Sequence, residues 1–149
     1  ADDLAARVAT LSGVPARGRA IYDEAQCALC HRFAGEGGAV GPDLTGAGTR
    51  YSRADLVRSL VEPSAVISEQ YQAHVLTRKN GETLSGRITG ESATVLAVLV
   101  DPINGVTLDV PKADLHSREA SKVSPMPEGL LNQFTPEDIA DLLAYLQAP

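Results

Sequence analysis

Along the chain the spacing of apolar positions changes twice, from helical to alternating and back to helical. Leu4, Val8 and Leu11 recur at three- and four-residue intervals, which predicts a helix over Asp2–Leu11 that Gly13, Val14 and Pro15 end. From Ala16 the pattern is helical again, with Ala20, Ile21 and Ala25 on the apolar side and Tyr22 beside them, and this helix is expected to run on into residues 27–31. Gly35–Gly48 holds six glycines and reads as a loop. Ser52 then caps a helix whose stripe is Leu56, Val57, Leu60 and Val61. Pro63 stops it, and one further helical turn is expected over Pro63–Ser68.

At Tyr71 the period becomes two. Tyr71, Ala73, Val75 and Thr77 alternate with Gln72, His74, Leu76 and Arg78, placing His74 on the polar side. Asn80-Gly81 is a hairpin signal, and Leu84, Gly86 and Ile88 continue the alternation before a turn at Gly90-Glu91-Ser92. Thr94–Val100 is almost wholly apolar, the mark of a strand buried on both faces. Val106, Leu108 and Val110 alternate up to Pro111, and a short fifth piece follows near Leu115. Tyr71 to Glu119 therefore reads as an antiparallel β module of four or five strands. The last helix starts at Thr135-Pro136-Glu137-Asp138, where Thr caps, Pro fits the first position and the acids suit the dipole. Its stripe is Ile139, Leu142, Leu143 and Leu146.

Composition changes this picture in three ways. Aromatic residues make up only 4% of the chain and Trp is absent, a thin supply for a core that a bound planar cofactor would supplement. A net charge of −6 argues against nucleic acid as a main partner. With Lys79, Lys112 and Lys122 the only lysines, a lysine-ringed docking face is not available. No stretch is long and apolar enough to span a bilayer. The start at Ala1-Asp2-Asp3 looks like a mature or trimmed one, without a signal peptide.

The chemistry concentrates in Cys27-Ala28-Leu29-Cys30-His31. This is C-x-x-C-H, the pattern of c-type haem attachment. Thiols three positions apart lie about one helical turn from each other and reach the two vinyl groups on one porphyrin edge, while the next residue offers an imidazole to the iron. Two other chemistries use the same residue types. A dithiol–disulfide redox site needs a preceding strand in a βαβ pattern, and none precedes Cys27. A zinc site from Cys27, Cys30, His74 and His116 lacks the regular His spacing of zinc fingers. Met126, the only methionine, sits between Pro125 and Pro127, a stiff loop suited to holding a thioether sulfur as the sixth iron ligand. Its alternative is a core gap-filler, and His74 and His116 read as surface histidines.

These pieces resemble a class I cytochrome c, in two segments on either side of the β module. Cys27-x-x-Cys30-His31 matches the attachment site, and Gly41-Pro42-x-Leu44-x-Gly46 with Arg50 beyond matches the loop after it. The resemblance implies a mainly α fold, the class I helical fold interrupted by the β insertion. It divides the chain into an N-terminal helix or linker remnant at 1–14, a haem domain at 15–70 and 120–149, and the inserted module at 71–119. It implies that the Pro42 carbonyl accepts from the proximal His31, that Leu44 lines the cofactor, that Arg50 faces a haem propionate, and that Gly18 and Tyr22 cross the last helix at Leu142 and Tyr145.

The long separation of Met126 from Cys27 is the departure from a small cytochrome, and it makes the chain similar to haem-binding modules common in planctomycetes and verrucomicrobia. The implied function is one-electron transfer through a single covalent haem c with His31 and Met126 as metal ligands, not catalysis. The chain would be a carrier, or the cytochrome domain of a larger dehydrogenase. Its partner would be a redox protein such as a periplasmic dehydrogenase or terminal oxidase, and its location periplasmic or otherwise exported. The alternative function is a gas or redox sensor, or a peroxidase-like protein, with a labile sixth ligand. The β module would serve as a docking surface or as a spacer.

Overall fold

The computed structural model describes residues 2–148. In chain order the elements are α1 (Asp2–Ala9), α2 (Pro15–Glu24), a 3₁₀ turn (Cys27–Leu29), β1 (Arg32–Phe33), β2 (Glu36–Gly37), α3 (Ala47–Arg50) and α4 (Arg53–Val61). Then come β3 (His74–Arg78), β4 (Thr83–Glu91), β5 (Val95–Asp101), β6 (Val106–Pro111), a 3₁₀ turn (Lys112–Asp114), β7 (Leu115–Ala120) and α5 (Pro136–Gln147). The chain divides into two compact units. One holds the residues up to Val66 together with those from Met126 onward; the other is Ile67–Pro125.

The expectation of a mainly α fold is corrected. Helices take 33% of the residues and strands 25%, so the fold is mixed. The physical reason lies in element length. Five helices of four to twelve residues are too short to outweigh a five-stranded sheet and a small hairpin.

The first unit is built on the crossing of α2 and α5. Ile139, Ala140, Leu142, Leu143 and Leu146 of α5 are buried, with Tyr22 of α2, Val8 of α1, and Leu56 and Val57 of α4 around them. The helices approach so closely that a Cβ on Gly18 would overlap the Asp141 carbonyl and lie 2.7 Å from the Tyr145 Cβ, so only glycine fits there. Asp141 itself is buried. Its Oδ1 accepts from the Val14 N–H at 2.7 Å, and Oδ2 faces the Arg17 Nε at 3.3 Å without hydrogen-bond geometry. Because α2 has no side-chain cap of its own, this carboxylate from another helix takes that place at its positive end. Thr135 caps α5 as its sequence indicates: its hydroxyl accepts from the Asp138 N–H, and the Asp138 carboxylate accepts from the Thr135 N–H.

The second unit is an antiparallel sheet in the order β6-β5-β4-β3-β7. Leu76, Leu96, Val98 and Val110 are its buried core, with Leu84, Ile88, Val100 and Leu115 packed against them. The Glu91 carboxylate accepts from Lys112 at 2.8 Å and Arg118 at 3.0 Å, bridging the end of β4 to the turn after β6 and to β7.

Several expectations change here. β5 is not buried on both faces: Leu96 and Val98 are fully buried, while Val95, Ala97 and Leu99 between them are only half-buried. The core side of β3 is the opposite of the one expected, because Leu76 points in and Val75 out. His74 shares the side of Leu76 and is half-buried, with its Nδ1 inside and without a hydrogen-bond partner, so it is less exposed than a surface histidine on the polar side. β4 runs through Gly90 with a bulge at Ile88/Gly90, and the turn comes later, at Ser92–Thr94. Pro63–Ser68 forms turns and bends and no helix.

Candidate haem site

The local backbone of the C-x-x-C-H stretch differs from a continuous helix. α2 ends at Glu24, Ala25 closes it, and Gln26 takes a left-handed conformation at φ 60°. Cys27–Leu29 then forms a separate 3₁₀ turn, whose closing bonds run from the Cys30 N–H (3.2 Å) and the His31 N–H (2.9 Å) to the Cys27 carbonyl. In 3₁₀ geometry positions i and i+3 eclipse, so the break at Gln26 puts the two cysteines on one side more directly than an α-helix would. Both are free thiols and half-buried. Burial pushes the Cys27 thiol up to about 11, which keeps it neutral at ordinary pH. A thiol held neutral is a poor thiolate nucleophile for disulfide exchange. The same apolar setting suits an uncharged thioether.

His31 is held on two sides. Its Nδ1 lies 2.7 Å from the Pro42 carbonyl oxygen. A carbonyl only accepts, so the proton is on Nδ1 and the lone pair of Nε2 is left for another partner. Gly41 lies against the ring: a Cβ there would sit 2.9 Å from the His31 Cε1 and 3.2 Å from Nδ1. Pro42, with no N–H, is tied through its neighbours. The Gly41 N–H donates to the Cys30 carbonyl at 2.7 Å and the Leu44 N–H to the Arg32 carbonyl at 2.8 Å, while Leu44 packs on the core.

Arg50 donates to the Thr45 carbonyl at 2.8 Å and the Asp43 carbonyl at 3.0 Å, so two of its five N–H groups hold the loop. The Asp43 carboxylate accepts from the Thr45 N–H at 2.8 Å. Bonds from Thr45 keep its carboxyl below the usual range, with smaller contributions from Arg32 and Arg50.

Behind the turn, Tyr22, Phe33 and Tyr145 form a three-ring cluster with centroid distances of 6.0, 5.5 and 4.9 Å. The rings join α2, β1 and α5. Burial raises the Tyr22 hydroxyl to about 12, and its oxygen lies 3.5 Å from the His31 carbonyl. Met126 is half-buried and belongs to the same compact unit as His31. His74 and His116 lie in the other unit, on β3 and β7. Among the described residues no group of three or more His, Cys, Asp or Glu gathers as a metal site. The residues present therefore fit a c-type haem: two thiols on one side of one turn, followed by an imidazole immobilised through its Nδ1, which leaves Nε2 for the iron.

Phe33, Thr45 and Asp141 were not picked out by the sequence pattern. Phe33, two residues past His31 in a chain with only two Phe, is the one with a visible signal. The partners of Asp141 are 127 positions away in the case of Val14, and no local pattern reveals them.

The family model described as Cytochrome c matches residues 15–85. That stretch runs from the first residue of α2 through the attachment motif and the Pro42 loop, and stops inside β4. It leaves out α5, which the structure packs on α2. A search of the curated proteins finds no match. The match over residues 15–85 supports a c-type cytochrome in electron transfer, with a covalently bound haem c and a redox protein as partner. No helix among the described residues is long and apolar enough to cross a membrane.

Proposed function

We propose that the chain is a monohaem cytochrome c, an electron carrier rather than an enzyme, in which Cys27 and Cys30 would join the haem by thioethers and His31 and Met126 would hold its iron. The observation that carries this reading is the 2.7 Å bond from the His31 Nδ1 to the Pro42 carbonyl, directly after a turn that eclipses two half-buried thiols. When bound, the haem supplies a one-electron iron couple.

The chain's own residues do the rest. Cys27 and Cys30 anchor, and the Pro42 carbonyl fixes the tautomer and rotation of His31. The prolines flanking Met126 limit the conformations of its loop, and a thioether ligand favours the reduced state. With His31 and Met126 both holding the iron, substrate would be excluded from the metal and electron exchange would be left as its work. Leu29, 54% exposed between the two cysteines, gives apolar surface beside the attachment point.

The module at Ile67–Pro125 is similar in its place to the insert of planctomycete and verrucomicrobial haem-binding modules. Thioether attachment outside the cytoplasm makes the protein periplasmic or otherwise exported. A periplasmic dehydrogenase or terminal oxidase is the kind of partner such a carrier serves. The test is the ferric absorption spectrum of the matured protein and of Met126→Ala. The expected result is a low-spin spectrum with a sulfur-to-iron charge-transfer band that the variant loses. A high-spin native spectrum, or a band that survives the substitution, overturns the axial assignment.

A further inference from the structure

We propose that Thr45 is a positioning residue for the His31–Pro42 contact, acting through the loop on the electron density that His31 offers the iron; this rests on the haem reading above. Pro42 cannot anchor its own carbonyl with an N–H, so the loop on either side must hold it. On the C-terminal side two cross-links tie the loop back to the strand after His31. One is the backbone bond from Leu44 to Arg32 at 2.8 Å. The other is the Thr45 hydroxyl, which accepts from the Ala34 N–H at 2.9 Å.

Ala34 has φ 51°, a left-handed conformation that is strained for a non-glycine residue. Such strain persists where the surroundings over-determine it. Thr45 is the side chain that meets it, and two other bonds lock Thr45 in turn, with a third on Asp43. Its N–H donates to the Asp43 carboxylate at 2.8 Å, and Arg50 holds the Thr45 and Asp43 carbonyls on either side of Leu44. The chain of causes runs from Arg50 and Asp43 to Thr45, from Thr45 to Ala34, and through the closed loop to the Pro42 carbonyl. A well-placed carbonyl draws the Nδ1 proton and makes the imidazole a stronger donor, which favours ferric iron. A loosened one does the reverse.

The experiment compares Thr45→Val, which keeps the shape and loses the hydroxyl, with Thr45→Ser, which keeps the hydroxyl. Both are made in the full matured chain. The readouts are the equilibrium midpoint potential, the hyperfine-shifted proton NMR spectrum of the ferric form, and thermal unfolding. Thr45 is exposed, so the fold survives. The expected result is an upward shift of potential and an altered hyperfine pattern in Thr45→Val, with Thr45→Ser restored to wild type. Thr45→Ala, smaller and without the hydroxyl, gives the same shift. A haem-loaded Thr45→Val with wild-type potential and hyperfine pattern overturns the inference, as does a Thr45→Ser as altered as Thr45→Val. Failure of the wild type to carry haem is a separate outcome that overturns the haem reading beneath it.

Discussion

The His31 imidazole is gripped between two consecutive residues of one loop. The Pro42 carbonyl takes its Nδ1 proton at 2.7 Å, and the bare Cα of Gly41 meets the ring. One residue orients the ring and the next leaves room for it. The arrangement makes the imidazole a preorganised ligand, since its tautomer and rotation are fixed before any metal arrives.

The first prediction concerns that room. In Gly41→Ala a Cβ would stand 2.9 Å from the His31 Cε1, closer than side chains approach, and the ring cannot retreat without giving up the Pro42 bond. The variant is expected to lose about 1–3 kcal/mol of stability, as overpacked sites do, and the matured protein to show a perturbed ferric spectrum. Wild-type stability with an unchanged spectrum would show that the ring is not gripped.

A second prediction lies at the helix crossing. Gly18→Ala puts a methyl against the backbone carbonyl of Asp141, which cannot rotate away as a side chain can. The crossing of α2 and α5 must open. Denaturant unfolding should show a loss at or above the roughly 1–3 kcal/mol typical of overpacking. A neutral result would mean that the two helices pack less closely than described.

Much of this was legible in the sequence, and the parts that were not share a cause. The capping of α5 by Thr135 and the five-strand pattern depend on neighbours a few positions apart, and those were readable. The break at Gln26 was not, because a non-glycine residue in a left-handed conformation leaves no local mark. The sides of β3 are reversed because Leu76 is the one apolar residue on a side it shares with Gln72, His74 and Arg78, whereas Ala73 and Val75 share the other. Only the packing of Leu76 with Leu96, Val98 and Val110 shows which side faces the core. Weighing the haem motif over the inserted strands leads to a mainly α expectation, where strands hold a quarter of the residues. At the site, the motif and the Pro42 loop were readable as residue types, while Thr45 and Phe33 act through partners that only the fold brings near.

The third prediction is a pH dependence. The Asp138 carboxyl is held below its usual range by the bond from the Thr135 backbone N–H, then by the Thr135 side chain. A depressed carboxyl adds stability that is present above its unfolded value and lost as pH falls through its folded value. Wild-type stability should therefore fall in acid more steeply than that of Asp138→Asn, and Thr135→Ala should cost about 1 kcal/mol at neutral pH. Parallel acid profiles for wild type and Asp138→Asn would remove the capping box as the cause.

The most direct test is the intact mass of the protein after expression in a host that attaches c-type haem. The account predicts a mass equal to the polypeptide plus one haem that denaturing acid extraction does not remove, with both Cys27 and Cys30 unreactive to thiol reagents. Colourless protein at the polypeptide mass, with two free thiols, would contradict it.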